Sequence, residues 1–289
     1  MRKVTRTQRW REKIALYRPA DEGDFDPDRY SVDAITKGDA ERFVTTHHYS
    51  RFFPQTRLRY GLFDDTLRGG PELVGVISFG NGSHPNALLN PFPNLEPYYE
   101  STELNRMVLR ESVPANGESW FASRVFRLAA REGVRGVVAF SDPSEFWQAD
   151  RNGRPFRTKR GHYGIAYQSL NMDYLGQTRE SWKEYFPDGT EWNGRSISKV
   201  ANGERGSKGV IARLVECGAP PLTDNDNLNE WLALAKKACG ITRRRHEGNF
   251  KYAVRIGTRS QRSRTTIGVA SHGYPKPQSA LPGLDGGVL

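Results

Sequence analysis

The chain predicts an α/β (α+β) fold: one mixed central sheet flanked by helices, with a small helical lobe built from the C-terminal third. Three observations carry this expectation. Residues 134–140 (VRGVVAF) form a near-continuous apolar run, as expected of a central strand covered on both faces. Just before it, Phe121, Val125, Leu128 and Ala129 recur at helical spacing. Strand-like and helix-like segments alternate along the first two-thirds of the chain, the order that layers helices on a sheet.

Taken in order, residues 1–27 are highly charged, with Pro19 and an acidic DEGDFDPDR run, and read as an N-terminal arm. Residues 33–46 (DAITKGDAERFVTT) suit a short strand and then a helix beginning near Asp39, which delivers His47, His48, Tyr49 and Ser50 at its exit. RYGLFD (59–64) and LVGVISF (73–79), separated by the turn-rich TLRGGPE, read as an antiparallel hairpin. ELNRMVL (103–109) is the next strand. A Pro-Asn-Gly loop leads from it into the helix of SWFASRVFRLAAREG, which ends on Gly133. Residues 143–162 are polar and basic and read as a long loop or insertion. A helix over 164–170, a strand over 173–175, helices over 208–217 and 228–239, and a strand over 250–256 follow. The last thirty residues lack periodicity and read as a disordered or extended tail. The expected organisation is an arm (1–27), a catalytic domain (28–200), a C-terminal helical segment with a strand (201–257) and a tail (258–289).

The 289 residues carry 43 Lys and Arg against 33 Asp and Glu, a net charge of +10, which favours a polyanionic partner and nucleic acid first. Two cysteines, Cys217 and Cys239, form no CxxC pair, which argues against a disulfide-stapled secreted domain. The basic N-terminus lacks the apolar stretch of a signal peptide, and no window reaches transmembrane length. The expectation is a cytoplasmic protein with no membrane partner, of open oligomeric state.

Reactive side chains fall at the ends of expected elements in three places: residues 47–50 (HHYS), 140–143 (FSDP) and 162–168 (HYGIAYQ). Asp142 follows a buried strand, a usual position for a polar site, although an Asp before a proline also forms turns. His48 suits a general base, or simply the C-terminus of a helix. Tyr49 and Tyr167 could orient a substrate or pack half-buried. Asn116, Gly117, Glu118 and Ser119 offer backbone N–H groups at a helix N-terminus, where a phosphate can bind; the alternative is an ordinary turn capped by Ser119. Metal binding stays open through His47, His48, Asp142 and His162, without an HExxH helix or a cysteine set. Three basic stretches suit contact with DNA phosphates, through Arg51, Arg57 and Arg59, through Arg154, Arg157, Lys159 and Arg160, and through Arg243, Arg244 and Arg245.

The ordered set HHYSRFF, LVGVISFGNG, ELNRMVL, FASRVFRLAA, VVAFSDP, HYGIAYQSLNMDYLGQT and WNGRS resembles the Mom family of phage DNA-modification proteins over roughly residues 43–200. Its Tyr-Gln, Asn and Tyr-x-Gly segment also resembles the end of the GNAT acetyltransferase fold. The resemblance implies a GNAT-like acyl-type transferase acting in the cytoplasm of an infected bacterial host. It implies that an acetamido or carbamoylmethyl-like group is added to the exocyclic amine of adenine in double-stranded DNA, hiding sites from restriction enzymes. It carries catalytic roles onto His48, Tyr49, Asp142 and Tyr167, with acetyl-CoA as a possible donor. Two features differ from the family: residues 144–160 intervene after Asp-Pro, and PANGESW stands where GNAT proteins carry a pyrophosphate signature. The alternatives are a GNAT-like N-acetyltransferase acting on a protein or small amine, and a non-catalytic DNA-binding anti-restriction protein.

Overall fold

The computed structural model describes residues 25–48, 52–66, 68–82, 84–149, 152–159, 161–187, 191–192 and 194–276, with two further strands, β1 (Val4–Arg6) and β2 (Tyr17–Pro19). These two strands pair antiparallel and are the described part of the N-terminal arm before Phe25. The chain continues through β3 (Tyr30–Ala34), α1 (Lys37–His47), β4 (Leu58–Asp64), β5 (Glu72–Gly80), α2 (Asn86–Leu89), β6 (Ser101–Leu109), α3 (Gly117–Arg131) and β7 (Gly136–Ser141). Next come β8 (Phe146–Ala149), β9 (Pro155–Lys159), α4 (Ile165–Ser169), β10 (Asp173–Gln177), β11 (Ser181–Tyr185) and β12 (Glu191–Trp192). The helices α5 (Gly194–Ala201), α6 (Ser207–Glu216) and α7 (Leu228–Ala238) precede β13 (Thr242–His246), β14 (Phe250–Arg255) and α8 (Arg259–Arg264).

Two compact units result: Met1–Pro143 with Gly161–Thr178 and Asn249–Leu289, and Ser144–Arg160 with Arg179–Gly248. The first holds a seven-stranded mixed sheet in the order β10-β14-β7-β6-β5-β4-β3. Its one parallel pair is β6 with β7, joined through α3. The fold class expected from the sequence, a mixed sheet flanked by helices, is the one observed. Alternation along β7 shows why both sheet faces are covered: Val137 and Ala139 pack with Phe121, Val125 and Ala129 of α3, while Val138 packs with Leu88 and Phe92 on the other face. Each fully buried Val, Leu or Phe among these contributes about 1.5–3 kcal/mol. On that second face α1 lays Ala40, Phe43 and Val44 against Val76 and Val108.

Local chemistry sets the element ends. Thr36 caps α1, its hydroxyl oxygen accepting from Asp39 N–H at 3.2 Å, so this helix starts at Lys37, two residues before the Asp39 read from the sequence. Helix α3 ends where Gly133 adopts φ 91°, and Val134 N–H closes back onto Ala129 at 3.1 Å.

Three expectations need correction. The strand over 250–256, grouped with the C-terminal segment, is β14 and lies inside the large sheet between β10 and β7, where Tyr252 and Ala253 pair with Ala139 and Val138. Residues 143–162 are no plain loop, because β8 and β9 pair as a hairpin. The boundary expected after residue 200 cuts through one core, since Phe186 and Trp192 pack with Val200, Leu214, Trp231 and Leu232 in the second unit. Of the expected tail, α8 and the residues to Lys276 are described, and His272 N–H donates to Tyr174 O at 2.8 Å; residues 277–289 lie outside the described set. No helix among the described residues is long and apolar enough to cross a membrane.

At the place where the chain rejoins the first unit, a Cβ on Gly161 would run into the Pro143 carbonyl, and the next residue, His162, donates its N–H to Asp142 O at 2.7 Å. Gly161→Ala is expected to destabilise the protein by about 1–3 kcal/mol, the usual cost of overpacking. The check is a lower urea midpoint with an unchanged slope.

Candidate active site

The parallel pairing of β6 with β7 runs only from Ser101 opposite Gly136 to Leu104 opposite Ala139. Beyond it, β6 continues along β5 and β7 continues along β14, so the two strands part. Between them opens a cavity of about 840 Å³. The parting starts at a bulge: β5 pairs Ser78 with Arg106 and Phe79 with Leu104, leaving Asn105 as the extra residue. That bulge is pinned from both sides, since Ser78 Oγ donates to Asn105 Oδ1 at 2.7 Å and Asn105 Nδ2 donates to Gln55 O at 3.2 Å.

His48, Asp142 and Tyr167, three of the four side chains singled out for catalysis, all line this cavity. The fourth, Tyr49, lies outside the described residues. His48 is the C-cap of α1, its N–H donating to Val44 O at 2.8 Å, which turns the chain out of the helix and over the cavity. Asp142 stands just beyond β7. His162, also on the lining, accepts Gly164 N–H on its Nδ1 at 3.1 Å. Tyr167 is buried, with its ring 5.4 Å from that of Tyr252 and 5.9 Å from that of His162.

The turn entering α3 supplies a further wall. Asn116 adopts φ 73° and, with Glu118 and Ser119, faces the cavity, at the end of the helix where N–H groups have no partner within the helix. Gly117 does not share that role, for its N–H donates to Pro114 O at 3.3 Å and its Cα packs beside Val113. Glu111 lines the same cavity.

Glu103 and Asn249, not singled out from the sequence, both line the cavity, and the Asn249 Oδ1 is buried with no hydrogen-bond partner among the described residues. The available signal for Glu103 was a charged residue opening a strand that proves central to the sheet, where carboxylates are rare. Burial pushes the Glu103 carboxyl up to about 7, with Arg106 pulling the other way. Burial first, then the charges of Arg106 and His162, pushes the His48 imidazole down to about 3. Among the described residues no group of three or more His, Cys, Asp or Glu is placed to hold a metal ion, so His47, His48, Asp142 and His162 do not form the ligand set left open by the sequence.

The basic residues divide differently. Arg57 spends its guanidinium on the Tyr98 and Tyr99 carbonyls, and Arg59 donates to Thr56 O at 3.1 Å, so both brace a loop of the first unit. Arg154 is exposed in the second unit. On β13, Arg243 lies 5.0 Å over the Trp182 ring, Arg244 lies 5.5 Å over Phe146, and Arg245 pairs with Glu180, all three exposed. Arg51 and Arg160 lie outside the described residues, as do the side chains of Arg157 and Lys159.

The model of the Mom protein family matches residues 29–223. Among solved structures the chain is similar to a tandem GNAT protein from the clavulanic acid biosynthesis pathway, at 9% identity over 79% of this chain and 99% of that one, with a TM-score of 0.37. It is also similar to an N-acetyltransferase from Staphylococcus aureus Mu50 (14% identity, 55% and 88% coverage, TM-score 0.28) and to the KacTA protein of a KacTA–DNA complex (15%, 45% and 93%, 0.24). Likenesses with TM-scores this low carry no argument about substrate, donor or partner. No curated protein sequence matches the chain.

The depressed His48 pKa has a consequence for stability. Between about pH 3 and 6.5 the unfolded chain holds a proton on this ring that the folded chain does not. Stability therefore rises with pH through that window and is lost as the solution is acidified. His48→Asn is expected to flatten this part of the melting-temperature profile, measured from pH 4 to 7 against wild type.

Proposed function

Because the chain belongs to the Mom protein family, we propose that it is an acyl-type transferase that adds an acetamido or carbamoylmethyl-like group to the exocyclic amine of adenine in duplex DNA, protecting that DNA from restriction. The observation that carries this reading is the cavity at the strand splay. It brings His48, Asp142 and Tyr167, which are distant in sequence, together with the first turn of α3.

The amine of adenine is a weak nucleophile because its lone pair is drawn into the ring, so a proton must leave as the new bond forms. In the proposed step the amine nitrogen bonds to the transferred carbon, and the bond from that carbon to the donor's leaving atom breaks. The leaving atom takes the electron pair, the amine proton passes to a base, and the base then hands that same proton on to the departed leaving atom or to solvent. Glu103 is the base best suited to neutral pH, since burial brings its pKa to about 7. His48, neutral and with a pKa near 3, is a poor proton acceptor at that pH and serves as a hydrogen-bonding group. Tyr167 and Asp142 orient the base. The first turn of α3 offers N–H donors, but Glu111 and Glu118 line the same cavity and would repel a pyrophosphate. These residues do not fit the pyrophosphate of acetyl-CoA.

A base inside a duplex must be flipped out to reach such a cavity. Phe52 supports this: the residue is 59% exposed and its ring lies 6.0 Å beneath the Arg106 guanidinium, which donates to Phe52 O at 3.0 Å, so a fixed aromatic face is offered for stacking. Phosphate contact falls to the exposed Arg154, Arg243, Arg244 and Arg245, joined by Arg157, Lys159, Arg51 and Arg160.

DNA from cells expressing the protein is expected to yield a heavier deoxyadenosine by nucleoside mass spectrometry, and Asp142→Ala to abolish it. Unmodified nucleosides from a well-expressed sample would overturn the reading. Glu103→Gln is expected to lower the modification rate about 10²–10⁴-fold, the usual worth of a general base. Wild-type rate should rise as pH passes through about 7, while the glutamine variant shows no such rise.

A further inference from the structure

We propose that Asn249 is the residue that recognises the 6-amino group of the purine, holding the reacting nitrogen by the hydrogen that is not lost in the reaction. This rests on the adenine reading above. Asn249 precedes β14, whose Phe250 pairs with Ser141, so it sits across from Asp142 at the end of the two neighbouring strands. Asn249 lines the cavity, and its Oδ1 is a buried oxygen with no hydrogen-bond partner among the described residues. A buried carboxamide oxygen left unpaired costs about 1–3 kcal/mol. A ligand N–H supplied at that point offsets this cost.

The residue is also held in place. Its carbonyl accepts Thr178 N–H at 2.8 Å, and its own N–H donates to Thr178 Oγ1 at 2.8 Å. Both backbone groups are thus committed to one neighbour, and the carboxamide is what remains to meet a ligand. Whichever way round it lies, the carboxamide presents one acceptor and one donor side by side. The amino group and adjacent ring nitrogen of adenine present the complementary pair, which is why Asn is suited to adenine. Acyl transfer removes one of the two amine hydrogens. Asn249 accepts from the other, so its contact lasts from substrate to product.

The experiment is titration calorimetry of the full-length protein with four nucleosides. They are 2′-deoxyadenosine, its N6-methyl and N6,N6-dimethyl derivatives, and purine 2′-deoxyriboside, which lacks the amino group. Wild type is expected to bind the first two, which keep an N–H, at least tenfold more tightly than the last two. Asn249→Leu is expected to bind all four with the same low affinity. Equal binding of deoxyadenosine and purine deoxyriboside by wild type overturns the proposal without any variant, even if the leucine protein does not fold. Retention of the wild-type preference in a folded Asn249→Leu protein also overturns it, leaving the adenine reading intact. No saturable binding of any of the four by wild type overturns both.

Discussion

The site depends on a parallel strand pair that hydrogen-bonds for four residues and then separates. A strand within a sheet normally has neighbours on both edges, and its backbone groups are satisfied by them. After Leu104, β6 keeps β5 on one side and, among the described residues, pairs with no strand on the other. The opening this leaves in the sheet is bordered by Leu104, Met107 and Leu109, beside the polar Glu103, Asn105 and Arg106. The Asn105 bulge makes the separation permanent, since its side chain is fixed by Ser78 and Gln55 and cannot slide back into register.

The same enclosure governs the ionisable groups. Burial is the largest cause acting on both His48 and Glu103, and in each case it favours the uncharged form. Between about pH 3 and 7 the His48 imidazole and the Glu103 carboxyl are therefore mostly uncharged, in a chain carrying a net charge of +10. Surface charge and site charge thus do separate jobs. Exposed arginines suit a polyanion, and a desolvated interior suits proton transfer from a weakly nucleophilic amine.

Much of the first unit was legible in the sequence because its elements are locally coded. The β4–β5 hairpin, the amphipathic α3 and the apolar β7 each follow from neighbouring residues, and polar groups at their ends pointed to His48, Asp142 and Tyr167. The position of β14 was not legible, because its partners in β7 are more than a hundred residues away and no local pattern names them. The second unit was missed for a similar reason: its core joins Phe186 and Trp192 to Trp231 across a turn-rich stretch. Glu103 and Asn249 escaped notice because their character comes from surroundings. A glutamate in ELNRMVL and an asparagine in EGNF are ordinary until burial raises the pKa of one and isolates the other.

The chain leaves the first unit twice and each time returns to the point of departure. Pro143 and Gly161 meet so closely that no side chain fits between them, and Thr178 and Asn249 are tied by two hydrogen bonds. Each excursion is therefore closed at its base by contacts within the first unit, and the two segments so closed, 144–160 and 179–248, make up the second compact unit. Asp142 and His162, joined by a backbone hydrogen bond, and Asn249 stand at these closures, so the contacts that seal each excursion also hold three residues of the cavity lining.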